Sequence, residues 1–100
     1  MNISWSGQAR RDLCAIRDFI ACDSEHYAQL QVERLISCLE RAAIMPSKGH
    51  PVHEFSGSGL REVHEGFYRI IYRTHDEDLQ VVTIVHMKQR LTERQLRRRS

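Results

Sequence analysis

Six residues in the C-terminal half carry side chains suited to holding an anion or moving a proton near one: Arg61, Arg69, Arg73, His86, Lys88 and Arg90. A guanidinium matches the oxygen geometry of a carboxylate or phosphate, and imidazole titrates near neutral pH. Four of the six fall within Leu60 to His86, LREVHEGFYRIIYRTHDEDLQVVTIVH. Whether they can act together depends on which of them share a face.

That stretch contains three β-prone runs. Phe67 to Thr74 and Leu79 to His86 are rich in Val, Ile, Tyr, Thr and Phe, which fit a pleated, half-buried surface. His75 to Asp78 separates them with no apolar residue, and Glu65-Gly66 follows the first run. Connections this short allow only antiparallel neighbours, so the stretch predicts a three-stranded meander. With a turn at Asp76-Glu77, Thr74 faces Leu79 and the other pairs follow by counting outward. One face then carries Tyr68, Ile70, Tyr72, Val81, Thr83 and Val85, free of charge and ready for helices to cover. The other carries Phe67, Arg69, Ile71, Arg73, Gln80, Val82, Ile84 and His86. On that second face His86 sits diagonal to Arg69, within reach of a shared ligand.

The rest of the chain supplies the covering layer. Ile3 and Trp5 alternate with polar residues as in a short strand, and Ser6 is a suitable helix N-cap. Ala9, Leu13, Ile16 and Ile20 fall on one helical face, predicting a helix from Gly7 to Ala21 with Phe19 at the edge of the stripe. Asp23-Ser24 can cap a second helix, whose buried stripe is Ala28, Val32, Leu35, Ile36, Leu39, Ala42 and Ala43. Leu30, Arg34, Ser37 and Arg41 line its outer row, and Pro46 marks its end. A break this short makes the pair an antiparallel hairpin. Ser47 to Gly59, with its prolines and glycines, reads as a loop, and His50 and His53 within it lack the partners of a metal site. Thr92 with Gln95 fits a capping box, and Leu91 with Leu96 a hydrophobic staple, so a short basic helix or tail closes the chain.

One domain accommodates the 100 residues, of which 41% are apolar and 28% charged. The fold class expected is α+β: an N-terminal strand and a helical hairpin packed on the meander. Three cysteines, Cys14, Cys22 and Cys38, without a CxxC spacing, fit reduced thiols rather than a disulfide framework. No signal peptide and no apolar run of membrane length is visible, so a cytoplasmic protein without cofactor or metal is expected. The net charge of +2 is uneven: residues 88–100 hold six cations against Glu93, a net +5, leaving −3 on the remaining 87. A basic end on a mildly acidic body suits nucleic acid or an acidic protein.

The element order carries characteristic phrases: Ala9-x-x-Asp12-Leu13-x-x-Ile16, Met45-Pro46-x-x-Gly49, Leu60-Arg61-Glu62-Val63, Gly66-x-Tyr68-Arg69-Ile70-Ile71-Tyr72-Arg73 and Ile84-x-His86-x-Lys88-x-Arg90. Together these resemble the RelE/ParE superfamily of bacterial type II toxins, the ParE branch more than the RelE branch, over nearly the whole chain. The resemblance implies a small cytoplasmic toxin that inhibits growth until a cognate antitoxin wraps and neutralises it, with room for a heterotetramer or larger assembly. ParE-type members inhibit DNA gyrase; RelE-type members cut messenger RNA on the ribosome.

Chemistry separates the branches. A metal-free ribonuclease needs cations around the phosphate and groups that move protons to and from the 2′-hydroxyl and leaving oxygen. In RelE-like enzymes lysines and arginines line the meander; here Leu60, Glu62 and Glu65 stand where lysines are expected, and no tyrosine follows Tyr72. Carboxylates beside a desolvated phosphate repel it by several kcal/mol. Arg69 as phosphate clamp and His86 as general acid are the pair left for such an enzyme. Arg69 can equally be half of an ion pair with Glu62, His86 a capped strand-end residue, and Arg73 a solvated partner of the acidic turn. The gyrase reading asks only for a gripping surface. Arg61, Arg69, Arg73, His86, Lys88 and Arg90, with Ile71 and Ile84 exposed for an antitoxin segment to cover, are the candidate partner-binding residues.

Overall fold

The computed structural model describes residues 1–97. Strand β1 (Asn2–Trp5) leads into α1 (Gly7–Ala21) and α2 (Glu25–Ile44), followed by β2 (His50–Pro51), β3 (Arg61–Glu65), β4 (Tyr68–His75), β5 (Asp78–His86) and α3 (Glu93–Arg97). The five strands form one sheet in the order β1-β5-β4-β3-β2. β1 runs parallel to β5, and every other pair is antiparallel. The predicted hairpin and meander are present. The loop after α2 contains, in addition, the short strand β2, which pairs with Arg61 and Glu62. Of the expected basic tail, Arg98 and Arg99 lie outside the described residues.

Local chemistry sets the helix starts. Ser6 Oγ accepts the Ala9 N–H at 2.9 Å, and Ser24 Oγ accepts that of Tyr27 at 3.1 Å. At the other end of the chain, Gln95 Oε1 accepts the Thr92 N–H at 3.3 Å, the side-chain half of a capping box.

Two cores flank the sheet. On the helix side, Ala9, Leu35, Leu39, Ala42 and Ala43 pack on Ile70, Tyr72, Leu79, Val81 and Ile84. On the other side, Val52, Leu60 and Leu91 cover Ile71, Val82 and Val85, with Phe55 and Leu96 at the margin. The face expected to lie open for a partner is thus closed by the chain's own loop and C-terminal segment. Not all of the predicted helical stripe is buried: Phe19 is 77% and Ile36 39% exposed.

The register changes partway along the second hairpin. His75 to Tyr72 pair with Asp78 to Val81 as counting from the Asp76-Glu77 turn predicts, but a bulge between Ile71 and Tyr72 then shifts the pairing by one. Beyond it Ile70 faces Ile84, Arg69 faces Val85 and Tyr68 faces His86. A one-residue slip exchanges faces. Ile84 therefore joins the helix-side core and Val85 the opposite one, the reverse of the uniform count.

Where β1 ends, its successor Ser6 and helix α1 supply partners for β5. Ser6 N–H donates to Val81 O at 3.0 Å and Ser6 Oγ to Val82 O at 2.6 Å. The Asp12 carboxylate accepts the Thr83 hydroxyl and, at 3.0 Å, the Ile84 N–H. An unsatisfied buried donor costs on the order of 1–3 kcal/mol. Asp12→Ala is expected to destabilise the fold by about 1–2 kcal/mol, since Asp12 is half-exposed and water can replace part of the loss. Urea unfolding of the purified variant measures this, and an unchanged midpoint would show the bulge does not depend on the carboxylate.

Candidate functional site

The predicted residues do not converge. Arg69 lies on the second face, as expected, and is committed there to two carboxylates. Its Nη1 and Nη2 donate to Glu54 at 2.8 Å each, Nη2 also to Glu62 at 2.6 Å, and Nε to Glu62 at 3.2 Å. The Arg69 side chain is 11% exposed and that of Glu62 is 9%. The pairing with Glu62 is diagonal, since the first hairpin turns at Gly66-Phe67 and sets His64 opposite Arg69 and Glu62 opposite Ile71. Gly66, at φ 59°, takes the first central position where such a turn needs a positive φ.

Glu54 extends the cluster. It accepts the Leu91 N–H at 3.3 Å, tying the loop over the second face to the C-terminal segment. His64 Nε2 meets Glu62 Oε1 at 2.5 Å. The Arg69 hydrogen bonds hold the Glu54 carboxyl down at about 2. Burial pushes Glu62 upward, but its bonds to Arg69 and His64 outweigh that and hold it below the usual range. The same two carboxylates push the Arg69 guanidinium further up. With four of its five N–H donors held by internal carboxylates that also offset its charge, Arg69 is a poor clamp for a phosphate.

His86 lies elsewhere. The bulge turns it to the helix side, where it stacks on Phe67 at 6.1 Å between centroids and meets Tyr68 edge-on at 5.7 Å. Its Nδ1 accepts the Lys88 N–H at 3.1 Å. The proposed pairing of Arg69 and His86 on one anion is thus corrected: they occupy opposite faces. Ile71 and Ile84, expected to be exposed for a partner, are 0% and 3% exposed, each in one of the chain's own cores. Arg61 donates to Gly49 O at 2.7 Å. Arg73 is exposed near the opposite end of β4, while Lys88 and Arg90 are exposed just after β5. Among the described residues no group of three or more His, Cys, Asp or Glu side chains is arranged to hold a metal ion. No helix among them is long and apolar enough to cross a membrane.

What stays open is a groove the sequence reading did not foresee, although it named Ile84, His86 and Arg90, which line it or its flank, as partner-binding residues. A groove of about 280 Å³ runs between α1 and the ends of β4 and β5, lined by Ile16, Phe19, Tyr68, Ile84 and His86. Phe67 is 72% and Met87 44% exposed beside it. A second cleft on its C-terminal flank is lined by Gln8, Asp12, Arg90, Thr92 and Arg94. Aromatic side chains, Met and Arg gathered at one place are the composition of protein-contact surfaces. Phe19 at the stripe's edge and Phe67 beside the Glu65-Gly66 turn were the available signals, but each is legible as a contact residue only once the fold brings both near His86.

A five-stranded, mostly antiparallel sheet backed by a helical hairpin and closed by a short C-terminal helix is a RelE/ParE-like fold. The model of the family described as the ParE toxin of the type II toxin-antitoxin system parDE matches residues 3–91, and the chain belongs to that family. Solved structures share the fold at low identity. The chromosomal ParDE toxin-antitoxin system of P. aeruginosa aligns with a TM-score of 0.70 and 18% identity, over 86% of this chain and 95% of that one. The toxin-antitoxin complex RelBE2 of Mycobacterium tuberculosis gives 0.57 and 23%, over 85% and 95%. YafQ of E. coli strain BL21(DE3) gives 0.56 and 24%, over 85% and 91%. No curated protein sequence matches the chain.

Proposed function

We propose that this ParE-family toxin acts in the cytoplasm by inhibiting DNA gyrase, without catalysis of its own, and that a cognate antitoxin neutralises it. The observation that carries the reading is the double ion pair of Arg69 with Glu54 and Glu62, which takes four of its five N–H donors. The place where a ribonuclease of this fold would gather cations for a phosphate instead holds two carboxylates on one guanidinium, and His86 is on the other side of the sheet. A gyrase inhibitor needs a gripping surface, which the aromatic groove and the adjoining Lys88, Arg90 and Arg94 provide. Family membership supports the antitoxin, as do the antitoxin-bearing systems among its structural neighbours.

The test is a supercoiling reaction. Purified protein is expected to block supercoiling or trap cleaved DNA on the enzyme. Arg90→Glu combined with Arg94→Glu is expected to lower potency by about tenfold or more, by reversing two exposed charges beside the groove. These substitutions are cleaner than deleting residues 91–100, because Leu91 and Leu96 pack on the second core. New codon-aligned ends on translated messages, with supercoiling untouched, would replace this reading with a ribosome-dependent messenger ribonuclease.

A further inference from the structure

The basic end of the chain meets the aromatic groove through shared residues. Asp12 and Gln89 line both that groove and the cleft, about 360 Å³, that holds Arg90, Thr92 and Arg94. The two are one continuous depression, aromatic at one end and cationic at the other. A tight turn after β5 makes the join. The Met87 N–H donates to Phe67 O at 2.7 Å, the Gln89 N–H to His86 O at 2.8 Å and the Lys88 N–H to His86 Nδ1 at 3.1 Å. These bonds fix the His86 ring and hold the start of the basic end against it.

At the aromatic end, the Phe67 and His86 rings lie within 10° of parallel. Phe67 belongs to neither core, so the tip of the first hairpin holds a large flat ring out in solvent. At the other end, Lys88, Arg90 and Arg94 are exposed, and no carboxylate among the described residues pairs with them. The one carboxylate in the lining is that of Asp12, whose oxygens already accept from Gln8, Thr83 and Ile84. The depression therefore presents cations without a free acid beside them.

Ring faces for bases next to cations for phosphates are the means by which proteins hold unpaired nucleic acid. A duplex keeps its base faces inside the stack, where Phe67 cannot reach them. An acidic polypeptide would satisfy the arginines alone, whereas a ligand with a flat ring and a negative charge in every unit satisfies both ends. We infer that this depression holds an unpaired stretch of DNA, with a base stacked on Phe67 and the phosphates passing Lys88 toward Arg90 and Arg94. The inference rests on the gyrase reading above, which puts DNA beside the toxin, and adds that the toxin grips the strand itself.

The probe is a labelled oligothymidylate of about 12 nucleotides, followed by fluorescence anisotropy at several salt concentrations. The wild-type protein is expected to bind it more tightly than a duplex of the same length. Phe67→Ala is expected to weaken binding about fivefold or more with the salt slope unchanged, since it removes stacking and no charge. Arg90→Glu with Arg94→Glu is expected to flatten the slope of log affinity against log salt by about 1.4 or more, two contacts at about 0.7 each. Both variants alter exposed side chains outside the cores, so the fold is kept. Binding that is indifferent to Phe67→Ala, or as tight for the duplex, would reduce the surface to a basic end that attracts any polyanion and would overturn the inference. An oligouridylate bound in preference to the oligothymidylate would give the depression to RNA and overturn it too. Blocked supercoiling without oligonucleotide binding would overturn it while the gyrase reading stands, the groove then belonging to the enzyme's polypeptide. Phe67-dependent DNA binding by a protein that leaves supercoiling untouched would uphold the DNA site and bring down the gyrase reading instead.

Discussion

Replacing Arg69 with methionine is expected to cost about 3–5 kcal/mol of folding stability, the range for breaking a buried ion pair by removing one partner. Methionine keeps much of the side-chain volume but leaves Glu62 and Glu54 facing each other with no cation between them. Glu62 then becomes a buried carboxylate whose remaining partner is His64. Glu54 also ties Leu91, so the loop and the C-terminal segment loosen together. Urea unfolding measures the loss. A ribonuclease would show a different pattern: an arginine poised for substrate phosphate can be removed with little effect on stability. If the variant unfolds at the wild-type midpoint, the ion cluster is not what closes the second face.

The same cluster gives the protein a predictable acid response. Glu54 is held at about 2 against an ordinary value of 4.5. Between those values the unfolded chain takes up a proton that the folded chain does not, so acid favours unfolding. The stabilisation is complete above about pH 4.5 and is lost as pH falls toward 2. Glu62, also held below its ordinary value, adds to this in the same direction. In the Arg69→Met variant the sign should reverse for Glu62, since an unpaired buried carboxyl prefers its neutral form. Unfolding curves collected between neutral and acid pH check both slopes, and parallel profiles for the two proteins would contradict the account.

Gly49→Ala is the second large effect, at about 2–3 kcal/mol, near the upper end of what overpacking a tight core costs. Gly49 has an ordinary extended backbone, so conformation does not demand glycine there. Space does: a Cβ would stand 2.0 Å from the Tyr72 hydroxyl and 2.8 Å from the ring carbon bearing it. Tyr72 is fully buried, and its hydroxyl donates to Pro46 O at 2.6 Å, so the ring has nowhere to go. Tyr72→Phe removes the atom in closest conflict but forfeits that hydrogen bond. The double substitution should therefore cost less than the two single losses added together. Thermal melts of the four proteins form the cycle, and strict additivity would show that the two residues do not oppose each other.

These residues show where sequence and tertiary structure divide the work. Local signals were enough for the helices, because Ser6 and Ser24 cap through atoms within a few residues and the apolar stripe repeats at the helical period. They were enough for the acidic turn and the first pairs beyond it. They failed at Val81 to Val85, where an uninterrupted β-branched run has no polar alternation to say which face each residue takes. The bulged segment there is bonded to Ser6 and Asp12, more than 70 residues away in the chain.

The candidate site divides in the same way. That Glu62 belongs near Arg69 was legible, being a matter of short hairpin geometry. That Glu54 would complete the clasp was not, because a glutamate in a loop rich in glycine and proline looks like any solvated charge. The amino acids by themselves determined the two helices, the antiparallel meander, the basic C-terminal end and the shortage of cations expected of an RNA-cutting enzyme. All of these depend on residue type and short-range spacing. Only the tertiary structure decided that His86 and Arg69 face opposite ways, that Ile71 and Ile84 are internal, and which surfaces remain for partners. Those outcomes depend on contacts between distant segments, and a single-residue slip in one strand is enough to reverse them.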